Sequence, residues 1–250
     1  MVMDFPNSYV ETITVVFDLP YIICASIQLK GLIKNMNEKI NKFSKDTFHK
    51  ICDLLCKKDK DLQKIILEYG YPPMWTRPAT FQTLVLIILE QQISIASAFA
   101  AYKRLKDKIG YVTPKKIMLL TDAEMRACYF TRQKTVYARE LAMAILKKEL
   151  VLKKLSVMQD EEIRTILKKI KGIGDWSVDI YLMHAQQRSN LFPLGDIALV
   201  NSLKEIKNLP KDFAKEKLLE YALPWQPYRT IAVMILWHAY MKKRNIKIVA

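Results

Sequence analysis

Six glycines in 250 residues leave this chain few places to turn sharply, and three of the six fall between positions 172 and 195. The first two of these lie in Lys171-Gly172-Ile173-Gly174-Asp175-Trp176. Upstream, Ile163, Ile166, Leu167 and Ile170 recur at the spacing of one helix face; downstream, Val178, Tyr181, Leu182 and Ala185 do the same. Residues 161–186 are therefore expected to run as a helix up to Ile170, a hairpin of four residues and a second helix. Glycine suits such a hairpin because the backbone can bend tightly there or approach a ligand closely. The N-terminus of the second helix presents backbone N–H groups, which attract phosphate. Taken alone, the segment says no more than that a helix ends in a glycine turn. It is not a dinucleotide fingerprint, since Ser177 stands where the third glycine belongs and a helix, not a strand, precedes it.

Composition favours helices. Leu, Ile, Lys and Glu are abundant, and hydrophobic residues reach 51%, enough to bury a full core and to argue against disorder. Forty Lys and Arg against 25 Asp and Glu give a net charge of +15. That excess suits a polyanion, nucleic acid first and an acidic membrane surface second. Local clusters occur at Lys168-Lys169-Lys171 and Lys242-Lys243-Arg244. The four cysteines, Cys24, Cys52, Cys56 and Cys128, have no metal-ligand spacing and read as reduced, buried thiols of an intracellular protein. His49, His184 and His238 offer no zinc site. No apolar run is long enough to span a bilayer, and the stretch from Ile13 to Ile33 is broken by Asp18, Pro20 and Lys30.

Along the chain, Thr12–Phe17 and Ile22–Ile27 are candidate strands within an N-terminal extension, residues 1–45. From residue 46 to 250 the signals are helical. Phe81 through Ile95 to Tyr102 reads as one long amphipathic helix, started by Pro78 and Thr80. Thr113-Pro114 and Thr121-Asp122 look like helix starts. Ala138–Leu152 reads as a helix, and Ile231–Trp237, seven consecutive apolar residues, as one buried on most sides.

Four blocks stand in order: Trp75-Thr76-Arg77-Pro78 leading to Gln91-Gln92-Ile93-Ser94, the Gly172–Trp176 hairpin, Phe192-Pro193-Leu194-Gly195-Asp196, and Trp225-Gln226-Pro227-Tyr228-Arg229 before the helix ending at Trp237. Together, over roughly residues 46–243, they resemble the helix-hairpin-helix (HhH-GPD) DNA glycosylase superfamily, in its alkylpurine branch of the 3-methyladenine DNA glycosylase II type. The resemblance implies an all-α, two-lobed fold. Lobe one would take roughly residues 46–95 and 200–245, and lobe two roughly 96–199, with the active-site cleft between them. It implies a monomer acting on duplex DNA that holds damaged bases, in the cytoplasm or bacterial nucleoid. No redox or organic cofactor is implied. The iron–sulfur cluster of some relatives needs a C-terminal cysteine array, and this chain has no Cys after 128. A monovalent cation on the hairpin carbonyls is compatible with the resemblance and needs no side-chain ligand.

Residue by residue, Asp196 matches the family's catalytic aspartate. A carboxylate there would stabilise the oxocarbenium-like transition state of N-glycosidic cleavage and orient water. The plain alternative is that Asp196 only caps the helix beginning at Ile197. Trp176 and Trp237 match the aromatic pocket that receives the extruded base; ordinary core tryptophans are the alternative. A further pocket aromatic of the family falls at Ile180, with Tyr181 adjacent, which leaves base selectivity open. In strand-nicking relatives a lysine stands where this chain has Trp176, so the resemblance implies a monofunctional enzyme. Lys171, Gly172, Ile173 and Gly174 would bind DNA phosphate, and Gln92 would fill the gap left by the flipped nucleotide. Glu90 and Tyr129 replace small residues or glycine in the family pattern. Arg229 is either structural or phosphate-directed. Two other readings remain: a glycosylase of the same fold for deaminated or oxidised purines, and a non-enzymatic DNA-binding module.

Overall fold

Several apolar periods close into helices where a short polar side chain, as at Thr80, Ser94, Thr131 and Asp196, takes up a first free N–H group. The computed structural model describes residues 41–246, and among them twelve α-helices and three short 3-10 turns are connected without a strand. The strands expected at 12–17 and 22–27 lie outside the described residues. Residues 41–43 run extended and pair with 187–189: Phe43 N–H donates to the Gln187 carbonyl, and Ser189 N–H to that of Asn41, each at 3.0 Å.

In chain order the helices are α1 (Lys45–Lys58), α2 (Lys60–Tyr69), α3 (Phe81–Glu90), α4 (Ile95–Ile109), α5 (Pro114–Leu119), α6 (Asp122–Ala127), α7 (Arg132–Leu146), α8 (Asp160–Leu167), α9 (Asp175–Ala185), α10 (Ile197–Ile206), α11 (Leu218–Ala222) and α12 (Arg229–Lys243). Thr113 and Thr121 cap α5 and α6 as expected, the latter in a capping box with Glu124.

Three helix expectations need correcting. The long helix from Phe81 is two helices. The apolar period runs on through Ile95, but Gln92 adopts a left-handed φ of 58° and Ser94 starts α4 afresh by accepting the Ser97 N–H. The helix expected at 138–152 is α7. It begins six residues earlier because Thr131 caps it, and it ends at Leu146, before left-handed Lys148. The first hairpin helix stops at Leu167 instead of Ile170, although Ile170 stays buried in the turn.

Packing sorts the helices around the site. α12 is buried along most of its length and packs on α1, α2 and α10. α9, apolar on nearly every side, packs on α3 and α8, and α3 also packs on α4 and α7. α3 was expected with the first group, yet its main partners belong to the second. Trp225 and Lys207 tie the first group together: the Trp225 indole and the Lys207 ammonium both donate to Asp59 at 2.9 Å, at the corner between α1 and α2. Arg229 is tied to Asn190, donating from Nε to its Oδ1 at 2.8 Å and from Nη2 to its carbonyl at 3.0 Å.

Tyr129 occupies a turn with φ at 64°. Left-handed backbone is free for glycine and costly for other residues, which explains the glycine of the family pattern. Here the exposed Tyr129 ring carries the Arg104 guanidinium 4.0 Å above its centre.

Candidate active site

The chain turns at Pro193-Leu194-Gly195, where Asp196 N–H donates to the Pro193 carbonyl at 2.8 Å, and then enters α10. Asp196 caps that helix: its Oδ1 accepts the Leu199 N–H at 2.8 Å. The same oxygen accepts the indole N–H of Trp237, from α12, at 2.9 Å. Its partner Oδ2 accepts the indole N–H of Trp176, from the first turn of α9, at 3.0 Å. Three donors from three helices thus hold one half-buried carboxylate. One side chain caps α10 and binds both indoles.

Behind Trp237 lies a layer that sequence reasoning did not assign. The His184 ring stacks on Trp237 with centroids 5.8 Å apart and planes at 21°. Trp75 meets Trp237 edge-on at 6.4 Å. Burial first, and the neighbouring Arg77 guanidinium second, push the His184 imidazole down to about 3, so the ring is neutral at ordinary pH. Its Nδ1 has no hydrogen-bond partner. Arg77 N–H donates to the His184 carbonyl at 2.8 Å, and its guanidinium grips Glu90 with two bonds of 2.8 and 2.6 Å. Glu90 thus neutralises Arg77 beside the aromatic layer. Trp75 belongs to a block read from the sequence, but nothing in the sequence aligned His184 with it.

Ile180 and Tyr181 lie in the core. Tyr181 is fully buried, and its hydroxyl accepts from Gln186 Nε2 at 3.2 Å. The structure brings Asp196, Trp176 and Trp237 together and leaves Tyr181 enclosed instead of open to an incoming base.

In the hairpin the two glycines do different work. Gly172 has φ of 93°, and a Cβ built on it would meet the Tyr137 ring at 2.1 Å, so internal packing excludes any other residue. Gly174 has ordinary φ, and a Cβ there would meet nothing within 4 Å. Nothing within the described residues requires its smallness. No side chain caps α9 at Gly174. Asp175 in the first turn is partnered by Lys168 at 2.8 Å and Arg164 at 3.3 Å, and Lys168 holds its carboxyl below the usual range. Arg164 also reaches Asp179 at 2.6 Å, strapping α8 to α9. Lys171 is exposed and makes no ion pair among the described residues. Gln92 projects from its left-handed turn next to the hairpin, and both border a cleft of about 400 Å3.

Among the described residues no group of three or more His, Cys, Asp or Glu could hold a metal ion, and no helix is long and apolar enough to cross a membrane. YfjP of Bacillus subtilis, which bears a DNA-3-methyladenine glycosylase name, is 31% identical over 71% of this chain and 65% of its own length. A second DNA-3-methyladenine glycosylase of Bacillus subtilis is 28% identical over 64% of this chain and 57% of its own. The chain therefore spans less than two thirds of either relative. In structure it resembles the 3-methyladenine DNA glycosylase Mag1 of Schizosaccharomyces pombe, solved with abasic DNA, at a TM-score of 0.72 and 24% identity, covering 80% of this chain and 99% of Mag1. Residues 85–227, which hold the hairpin, Asp196 and Trp176, match the HhH-GPD superfamily of base excision DNA repair proteins, and the chain belongs to that family.

Proposed function

We propose that this protein is a monofunctional DNA glycosylase that extrudes and removes alkylated purines, of the 3-methyladenine kind, from duplex DNA. The observation that carries the reading is the Asp196 carboxylate held by Trp176, Trp237 and the first turn of α10. As the bond from C1′ to the base breaks, positive charge grows on the sugar, and Asp196 stabilises it. The carboxylate also orients the water whose oxygen forms the new bond to C1′ and accepts the proton that water gives up, while the base leaves with the bonding electrons. Half-buried Trp176 offers a face to the extruded base. A cationic alkylpurine against tryptophan gains about 0.5–2 kcal/mol over a neutral base. The neutral His184 and the Arg77–Glu90 pair keep uncompensated positive charge away from that site.

An amine nucleophile is missing where Trp176 stands, so the product is an abasic site in an intact strand. The hairpin takes phosphate on the open N-terminus of α9, with Lys171 adding charge. A monovalent cation suits the uncharged main-chain oxygens of segment 168–173. The Gly172 oxygen already accepts from Gln91 Nε2 at 2.8 Å and the Ile170 oxygen from the Ile173 N–H at 3.1 Å, so the remaining oxygens would hold it, adding to the pull on phosphate.

The test is a panel of single-lesion duplexes. Base release from 3-methyladenine or 7-methylguanine DNA, with strands intact until alkali is added and no borohydride-trapped adduct, supports the reading. Release confined to neutral deaminated or oxidised bases would overturn the alkylpurine assignment.

A further inference from the structure

Beside the hairpin cleft a part-buried contact joins two surfaces far apart in the chain. Gln91 ends α3. Its amide Nε2 donates to the Gly172 carbonyl at 2.8 Å and to Ser177 Oγ at 2.9 Å, so it bridges the hairpin turn and the first turn of α9. The very next residue is Gln92, exposed and left-handed at φ 58°. From the opposite side the Tyr137 ring fills the space against Gly172, and its hydroxyl accepts from Gln133 Nε2 at 2.5 Å. Gly172 is therefore fixed by its own backbone, by a ring beneath it and by an amide on its carbonyl.

We infer that Gln91 is a positioning residue that couples the phosphate grip of the hairpin to the extrusion of the target nucleotide by the Gln92 turn. The inference rests on the glycosylase reading above for the phosphate grip, the entry of Gln92 and what is extruded. The coupling itself is mechanical: one side chain holds the turn that binds phosphate, and its backbone neighbour enters the helix. Two surfaces tied by a short rigid strut can use binding at one to drive distortion at the other. Untied, each contact persists while the distortion loses its support. The donor role is specific. A carboxylate at position 91 cannot donate to the Gly172 oxygen, and an apolar side chain of the same length keeps the packing but not the bond.

The experiment uses the full chain and a duplex carrying 2-aminopurine beside the target position, whose fluorescence rises when stacking is lost. The plateau at saturating protein reports extrusion, and the midpoint reports affinity. Gln91→Glu and Gln91→Met should lower the extrusion equilibrium about five- to tenfold, the effect of one hydrogen bond, with thermal melts verifying that they fold. Lys171→Ala should shift the midpoint and still reach the wild-type plateau. Ser177→Ala, which leaves the Gly172 bond in place, should keep the plateau as well. A general loss of structure would move midpoints alone. A wild-type plateau in Gln91→Met, or Lys171→Ala lowering the plateau equally, would overturn the coupling. Failure of the wild-type protein to release any base, with the plateau difference intact, would sink the glycosylase reading and leave the coupling standing.

Discussion

Trp237→Phe isolates the indole N–H that holds the Asp196 carboxylate. A hydrogen bond to a charged acceptor contributes about 1.5–3 kcal/mol when its acceptor is poorly solvated. Trp237 is 9% exposed, so water has little room to replace the lost donor. Oδ1 still accepts the Leu199 N–H at 2.8 Å, which keeps that oxygen from being stranded and places the loss toward the lower end. Phenylalanine retains a ring against His184, so the packing change is small beside the lost bond. Because the carboxylate matters most when charge develops on the sugar, the loss should fall on the chemical step, slowing it about ten- to a hundredfold. Single-turnover base release reads that step, and duplex affinity measured alongside should stay near wild type. Release within about threefold of wild type would show that the indole does not position the carboxylate, and the reasoning would fail.

Other expectations follow from the same geometry. Gly174→Ala meets no internal contact, so it should leave the melting temperature unchanged or slightly raised while weakening binding to damaged and undamaged duplex alike. Duplex affinity should also fall with a log–log salt slope of roughly −4 to −5, and a nearly flat dependence would remove the phosphate role of the hairpin. Tyr129→Gly relieves a left-handed residue and should stabilise the fold by about 1 kcal/mol in urea unfolding, less whatever the Arg104 contact contributes; destabilisation would refute the strain argument. His184 is held at about 3 when folded, below the 6.5 of an ordinary histidine. The unfolded chain therefore binds a proton that the folded one refuses, and stability should decline as pH falls from roughly 6.5 toward 3, by up to about tenfold in the folding constant per pH unit. His184→Phe should lose that part of the slope; an unchanged slope would show the ring is not kept neutral by burial.

Helix content was legible because it depends on local rules, whereas Asp196, Trp176 and Trp237 were singled out by the resemblance, and the structure brings the three together. The caps at Thr113 and Thr121, the apolar run into Trp237, and the glycines around Ile173 state their geometry in neighbouring residues. The break at Gln92 was hidden because hydrophobic periodicity ran across it; Ser94, a capping residue followed by the apolar start of α4, was the available signal. Gly172 and Gly174 looked equivalent in sequence, and only the Tyr137 ring distinguishes them. The layer of His184, Trp75, Arg77 and Glu90 is assembled from α3, α9 and the segment before α3. No spacing announces it, since the contacts are set by how those elements pack.

The most direct test of the account is Asp196→Asn. Asparagine caps a helix about as well as aspartate, so α10 should stay in place, but the amide cannot accept from both indoles or stabilise a cationic sugar as a carboxylate does. The account predicts single-turnover base release slower by at least about a hundredfold, with a near-wild-type melting temperature and duplex affinity equal or higher. Base release within a few-fold of wild type in a folded, DNA-binding Asp196→Asn protein would contradict it, returning Asp196 to the role of a helix cap.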